Sequence, residues 1–264
     1  MSDRLRIHRD AGVAHVQLAR PDKLNALDLA MFEALVAAGD ELAGDRSLRA
    51  VVLSGEGRGF CAGLDVSNMA ALASEQDKMF GLHGGGPANF AQQVAYAWMS
   101  LPVPVIATVH GVCFGGGLQI ALGADIRIVT PDARLSVMEI KWGLVPDMTG
   151  TQTLQRLVGL DVAKLLTFTG REVLGEEAVT LGLATQTSIE PVNAALALAK
   201  EIADKSPDAI RAGKRLLDEA SYVDLATGLA QEAAAQKAVL GSPNQMEAVM
   251  AAMQKRAPRF QDPS

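Results

Sequence analysis

The sequence is poor in several things at once, and each shortage closes off a class of protein. Only two of its 264 residues are cysteine, Cys61 and Cys113, and both lie in apolar, glycine-containing runs without metal-ligand spacing. A disulfide framework is therefore not expected, and each reads as a small buried apolar residue. The four histidines, His8, His15, His83 and His110, are scattered, so spacing assembles no metal site from them. Aromatics amount to 4% while Ala, Leu, Val and Gly abound, the composition of tightly packed α/β layers. Charged residues amount to only 20%, the net charge is −6 and the basic residues form no stripe, which argues against nucleic acid as a partner. A local cluster of Lys and Arg can still receive a phosphorylated ligand. No apolar run approaches the length of a bilayer span, and the opening "MSDRLRIHRD" has no hydrophobic leader region. These absences predict a cytoplasmic protein with no membrane contact. The phosphate loop G-x-x-x-x-G-K-[ST] and the hydrolase elbow G-x-S-x-G are both missing, and the dinucleotide fingerprint does not fit around Gly115.

What is present is a 49% apolar chain, long enough for one large domain or a domain with an appendage. "LRIHRD" and "VAHVQLA" alternate apolar and polar residues around a turn at Asp10 to Gly12, as paired strands do. Asp28 is placed to cap a helix running through Asp40 to Leu42. "RAVVLSGEG" and "LPVPVIATV" read as buried strands, "DIRIVT" and "ARLSV" as further strands, and "FCAGLDVSNM" leads into a helix. Residues 73–90 read as a mobile loop over a pocket or as a plain connector, followed by a helix around Ala91 to Met99. From about Val192 the chain is helical and Ala-rich, with Pro207 and "GSPNQ" placed to start helices. The expectation is an α/β core over residues 1–191 and a helical region over 192–264. "VVLSGEGRGFCAGLD" and "VIATVHGVCFGGGLQ" both run from buried strand through a glycine loop to a helix start, a weak internal repeat.

The chemistry is sought in those two loops and in the acids downstream. Three consecutive glycines, Gly115 to Gly117, stand where a helix should begin, and Gly63 stands at the matching point of the first loop. Either the glycines serve a tight packing turn, or backbone must come close to a ligand there. Two helix starts brought together can aim two N–H groups at one oxygen, an oxyanion hole. Glu139 lies in an apolar stretch, with Asp147 eight residues later beyond the reversing "GLVP". Such carboxylates suit proton transfer, since apolar surroundings raise their pKa. A salt bridge for Glu139 and a helix cap for Asp147 are the plainer alternatives.

Five ordered segments then carry a family resemblance: "RPDKLNALD", "GRGFCAGLDV", "PVIATVHGVCFGGGLQIALGADIRI", "EIKWGLVPDMTGTQTLQRLVG" and "AAMQKRAPRF". Over nearly its full length the chain resembles the crotonase (enoyl-CoA hydratase/isomerase) superfamily. The resemblance implies a spiral of ββα units with a C-terminal helical region that builds homotrimers, often paired into hexamers. It implies a coenzyme A thioester substrate and no separate cofactor or metal. The thioester oxygen is expected on the N–H groups of Leu64 and Gly116, and the adenine pocket around Asn25, Ala26, Ala62 and Gly63, where Asn25 is also a turn former. Gly117 continues the second loop into the acyl site. Lys255 matches a lysine that approaches the coenzyme A phosphates across a subunit boundary, or is a solvated helix charge. Hydratases of this family hold water between two glutamates; one maps onto Glu139, the other onto Gln119, which cannot exchange a proton at neutral pH. Isomerases need the Glu139 position alone, and dienoyl-CoA isomerases add an aspartate at the Asp147 position. Double-bond isomerisation is therefore the first expectation, hydration or dehydration the second, and a non-catalytic acyl-CoA binder the rival. Met69, Met79, Phe80 and Phe90 are candidates for the acyl tunnel, though core packing explains each as well.

Overall fold

The computed structural model describes residues 3–69 and 74–263. Strands β1 (Leu5–Asp10) and β2 (Val13–Leu18) form an antiparallel hairpin in the register Asp10↔Val13 to Leu5↔Leu18. Its turn holds Ala11 at φ 46° and Gly12 at φ 80°, the doubly left-handed geometry whose twist matches two adjacent strands. Strands β3 (Ala50–Gly55), β4 (Val105–Val109), β6 (Ile126–Val129) and β9 (Gln186–Thr187) add in parallel, in the order β1-β2-β3-β4-β6-β9. A smaller sheet joins β5 (Val112–Phe114), β7 (Arg134–Ser136) and β8 (Val173–Leu174).

The registers show the spiral. In the large sheet Leu53 faces Ala107 and Ala107 faces Arg127. In the small one Cys61 faces Cys113 and Cys113 faces Leu135. Successive units therefore contribute one strand to each layer before turning into a helix, and the glycine loops of adjacent units stack side by side. This is the expected spiral of ββα units.

Period-2 alternation sorts the side chains of β3 between two layers. Val51 and Leu53 join the main core with α1 (Leu29–Ala43) and α3 (Phe90–Ser100), while Ala50 and Val52 meet Ala195 and Ala199 of α8 (Pro191–Ala203). Local signals place these helices well. The Asp28 carboxylate accepts the Met31 N–H at 2.8 Å, Asn89 and Gln92 form a reciprocal capping box, and Pro191 opens α8.

The expected boundary at residue 192 is corrected by α8. Its small residues let it lie flat on the back of the sheet, so the core extends through Ala203. The separate helical region starts with α9 (Pro207–Glu219), followed by α10 (Leu225–Val239) and α11 (Pro243–Met253). Arg49 pairs with Asp262 at 2.5 Å and ties the tail back to the core.

The 73–90 segment is more ordered than a loop, although residue 73 lies outside the described residues. Gln76–Phe80 forms α2, and Leu82 bridges to Asn89. Lys78 on Glu33 and His83 on Asp40 tie it to α1. After Cys61 the chain makes a short 3-10 turn, Val66–Asn68, capped by Asp65, and the helix expected beyond it falls largely on residues 70–73, outside the described residues. Among the described residues no helix is long and apolar enough to cross a membrane.

Candidate active site

The two glycine loops meet. The segment 61–65 is held between two neighbours. Cys61 pairs toward β5, donating to Val112 O and accepting from the Phe114 N–H, while Gly63 O and the Asp65 N–H bond Leu27 on the other side. Gly63 makes this change of side possible at φ 86°, and a Cβ there would stand 2.6 Å from Phe114 O and 3.6 Å from Gly116 N. Only glycine fits that conformation and that approach. Leu27 thus bonds the residues flanking Leu64, and the Leu64 N–H points away from it, toward the second loop. There the chain enters α4 (Gly116–Leu122) through Gly115 at φ 51°, ψ −124°. Among the described residues neither the Leu64 N–H nor the Gly116 N–H has a hydrogen-bond partner. A Cβ on Gly116 would meet Leu27 Cδ1 at 2.9 Å, and one on Gly117 would meet Cys61 Cβ and O at 2.6 Å. Packing against Cys61 thus dictates glycine at 117, a positive φ favours it at 115, and Leu27 and Met148 crowd position 116.

Glu139 stands against the same loop. It belongs to a 3-10 turn, Met138–Trp142, that follows β7, and it is 7% exposed. Its Oε1 lies 3.4 Å from where a Cβ on Gly115 would be. Gln119 Nε2 donates to Oε1 at 2.6 Å, whereas Oε2 is buried without any partner among the described residues. Burial raises the Glu139 pKa above its ordinary 4.5, the Gln119 hydrogen bond opposes the rise, and the nearby Asp147 charge adds to it. Asp147 is exposed at the end of the exposed apolar stretch Leu144–Val145, and desolvation by its surroundings still raises its pKa. Among the described residues Glu139 forms no salt bridge and the helix after Asp147 has Thr149 at its N-cap, so neither plainer alternative holds.

The other expected residues fall into two groups. Ala62 is half-buried and Ala26 nearly buried beside Gly63, where Arg20 ties the two segments by reaching Ala26 O at 2.9 Å and Asp65 at 2.7 Å. Asn25 is corrected: it is fully buried and lines no surface. Its Oδ1 accepts the Arg20 N–H and its Nδ2 donates to Glu56 O, Gly59 O and Phe60 O, so it staples the fold from a left-handed φ of 56°. Lys255 stands exposed beyond α11 at φ 52°, without an ion pair among the described residues. Met79 belongs to the core rather than to an open tunnel, while Phe80 is exposed. Burial pushes the Cys61 thiol up to about 12 and raises that of Cys113, so neither is a nucleophile.

A cavity of about 1050 Å³ lies elsewhere, between the ends of α3 and α4 and the face of α9. Two of its charges have partners: Lys214 Nζ contacts Asp125 at 2.6 Å, and the Arg156 guanidinium lies 4.2 Å above the Tyr222 ring. None of the expected site residues lines it.

One feature escapes sequence reading. The Met148 and Gly150 N–H groups both point at Gln119 Oε1, at 2.8 and 2.9 Å, around Thr149 at φ 71°. The only hint in the sequence is the glycine of "MTG", ambiguous by itself.

Against this geometry the comparisons with known proteins agree. The model of the family described as enoyl-CoA hydratase/isomerase matches residues 8–263. The mitochondrial methylglutaconyl-CoA hydratase of Mus musculus is 32% identical, aligned over 98% of this chain and 83% of its own. The short-chain-enoyl-CoA hydratase of Clostridium acetobutylicum is 33% identical over 95% of this chain and 94% of its own. The crystal structure of an enoyl-CoA hydratase from Bacillus anthracis superposes with a TM-score of 0.88 at 29% identity, over 98% of this chain and all of that one. The two stacked glycine loops and the ββα spiral that carries them are therefore those of a shared fold: the chain belongs to the enoyl-CoA hydratase/isomerase family of crotonase-fold enzymes.

Proposed function

We propose that this enzyme moves a carbon–carbon double bond within an enoyl- or dienoyl-CoA thioester. The thioester oxygen sits on the Leu64 and Gly116 N–H groups, which stabilise the negative charge that develops there; one such donor is typically worth about 3–4 kcal/mol. Glu139 takes a proton from C2, the electrons delocalise into the dienolate, and Glu139 returns the proton at C4. The product has the mass of the substrate, and the base is regenerated. Asp147 is a second acid/base for longer conjugated systems.

The observation that carries this reading is the state of the Glu139 carboxylate. One oxygen is bound to Gln119 and the other is buried without a partner among the described residues, against Gly115 of the second glycine loop. That is a single base with a raised affinity for a proton, suited to accept one and give it back. A non-catalytic binder has no need of it. Hydration is the second reading, favoured by the names of the hydratase relatives.

Coenzyme A enters as part of the substrate, and no other cofactor is required. Ala26, Ala62 and Gly63 offer backbone to its adenine, and Lys255 serves its phosphates across a subunit boundary of a homotrimer or a dimer of trimers. Exposed Leu225, Leu229, Met246, Val249, Met250 and Met253 on α10 and α11 support that association.

The test is incubation with 2-enoyl-, 3-enoyl- and 3,5-dienoyl-CoA, following products by mass and retention time. A new isomer at unchanged mass supports the proton shuttle. Gain of one water by the 2-enoyl substrate overturns it in favour of hydration, and tight binding without turnover favours the binder.

A further inference from the structure

The Gln119 side chain touches both Glu139 and the turn beyond Asp147. Its orientation follows from its partners. Two backbone N–H groups, of Met148 and Gly150, converge on one atom of the amide at 2.8 and 2.9 Å. Only the carbonyl oxygen can accept both, so the NH2 group necessarily faces Glu139, where it donates at 2.6 Å. The convergence is costly in backbone terms. It requires Thr149, a β-branched residue, at φ 71°, ψ −7°, where such residues are rare. It also requires glycine at 150, since a Cβ there would stand 2.6 Å from Gln119 Oε1. The turn is shaped around this amide.

We infer that Gln119 is the positioning residue of the site: it immobilises Glu139 through Oε1, leaving Oε2 as the only oxygen that exchanges a proton, and it holds the Met148–Gly150 turn that places Asp147. This deepens the reading of Glu139 as the base and rests on it. Both lone pairs of Gln119 Oε1 are taken and one N–H is given to Glu139, so a single N–H remains. A water in the site can accept from Gln119 but cannot donate to it. Gln119 therefore orients and does not activate, and proton traffic runs through one atom.

The two tasks separate by substitution. Gln119→Glu keeps an oxygen for the Met148 and Gly150 N–H groups but removes the donor to Glu139. Gln119→Met removes both. The readout is the Glu139 carboxyl titration by 13C NMR of glutamate-labelled protein, assigned with Glu139→Gln and followed alongside kcat, KM and the pH–rate profile. In Gln119→Met the Glu139 pKa should rise, because a hydrogen bond to the charged form is lost. The rising limb of kcat should move with it, and kcat should fall by about 10–100-fold from the lost alignment, with KM little changed. In Gln119→Glu the two carboxyls should titrate as a coupled pair with one step displaced further upward. Unchanged Glu139 titration in either folded variant overturns the inference. Should Gln119→Met fail to fold, Gln119→Glu, which retains the turn's acceptor, decides alone. A shifted titration in a protein that converts none of the three acyl-CoA substrates leaves the positioning role standing and refutes the proposed reaction; turnover without a shift does the reverse.

Discussion

Replacing Glu139 by Gln should make the protein at least as stable and nearly inactive. The amide is isosteric, and its oxygen can still accept the Gln119 N–H now held at 2.6 Å. Its NH2 would take the place of Oε2, which is already buried and unpartnered, so one unpaired polar atom replaces another. What disappears is a buried negative charge. Because folding raises the Glu139 pKa above 4.5, the charged form is disfavoured in the native state. That cost is absent below the unfolded value, grows as pH rises through the interval between the unfolded and folded values, and is constant above it. The stability gained by Glu139→Gln should follow the same course, near zero at pH 4 and maximal at pH 8, as read by urea denaturation at both pH values.

The catalytic loss should be large, because a positioned general base is typically worth about 10²–10⁴-fold, or about 3–5 kcal/mol of barrier. In the wild type the rate should rise with pH through the raised Glu139 pKa, since the ionised form is the base. Glu139→Gln should lack that limb while binding substrate comparably. Turnover within tenfold of wild type would refute Glu139 as the base. A stability loss at pH 8 would refute the claim that its charge is uncompensated.

Three further substitutions test the scaffold. Gly63→Ala places a methyl 2.6 Å from Phe114 O at φ 86°, combining left-handed strain with a backbone clash; a loss of about 3–5 kcal/mol is expected by denaturant titration, and one below 1 kcal/mol would mean the two glycine loops are not locked together. Asn25→Ala strips partners from two buried carbonyls, one part-buried carbonyl and one N–H, and should cost about 3–5 kcal/mol without changing affinity for coenzyme A in the folded remainder, as measured by calorimetry. Thr149→Gly removes a β-branched residue from φ 71° together with its buried, unpartnered hydroxyl, and should stabilise by about 1 kcal/mol, a rise in Tm of roughly 2–4 °C.

What the sequence made legible, and what it hid, divides by how far a residue's partners lie along the chain. Asp28 is readable as a cap because it bonds a residue three positions on, and the hairpin turn because Ala11 and Gly12 carry its geometry themselves. The glycine triplet was readable as a close approach, but what approaches, Cys61, Leu27 and Met148, comes from other units of the spiral. The α8 boundary was misplaced because an Ala-rich helix looks alike on a sheet or in a tail, and only small side chains meeting Ala50 and Val52 decide between them. Asn25 was misread for a related reason: its side-chain amide bonds carbonyls more than thirty residues away, which a turn-like "LNAL" does not announce. Gln119 is the furthest case. Its identity showed that a second proton-exchanging acid is missing, yet its role depends on which amide atom faces which partner, and those partners lie 20, 29 and 31 residues downstream. The reading from sequence could remove a function at this position, whereas assigning one needed two N–H groups converging on a single oxygen. A carboxylate at 119 would offer the same oxygen to the turn but could not donate to Glu139. The choice of amide over acid at that one position is thus what gives Glu139 a hydrogen-bond donor on one oxygen.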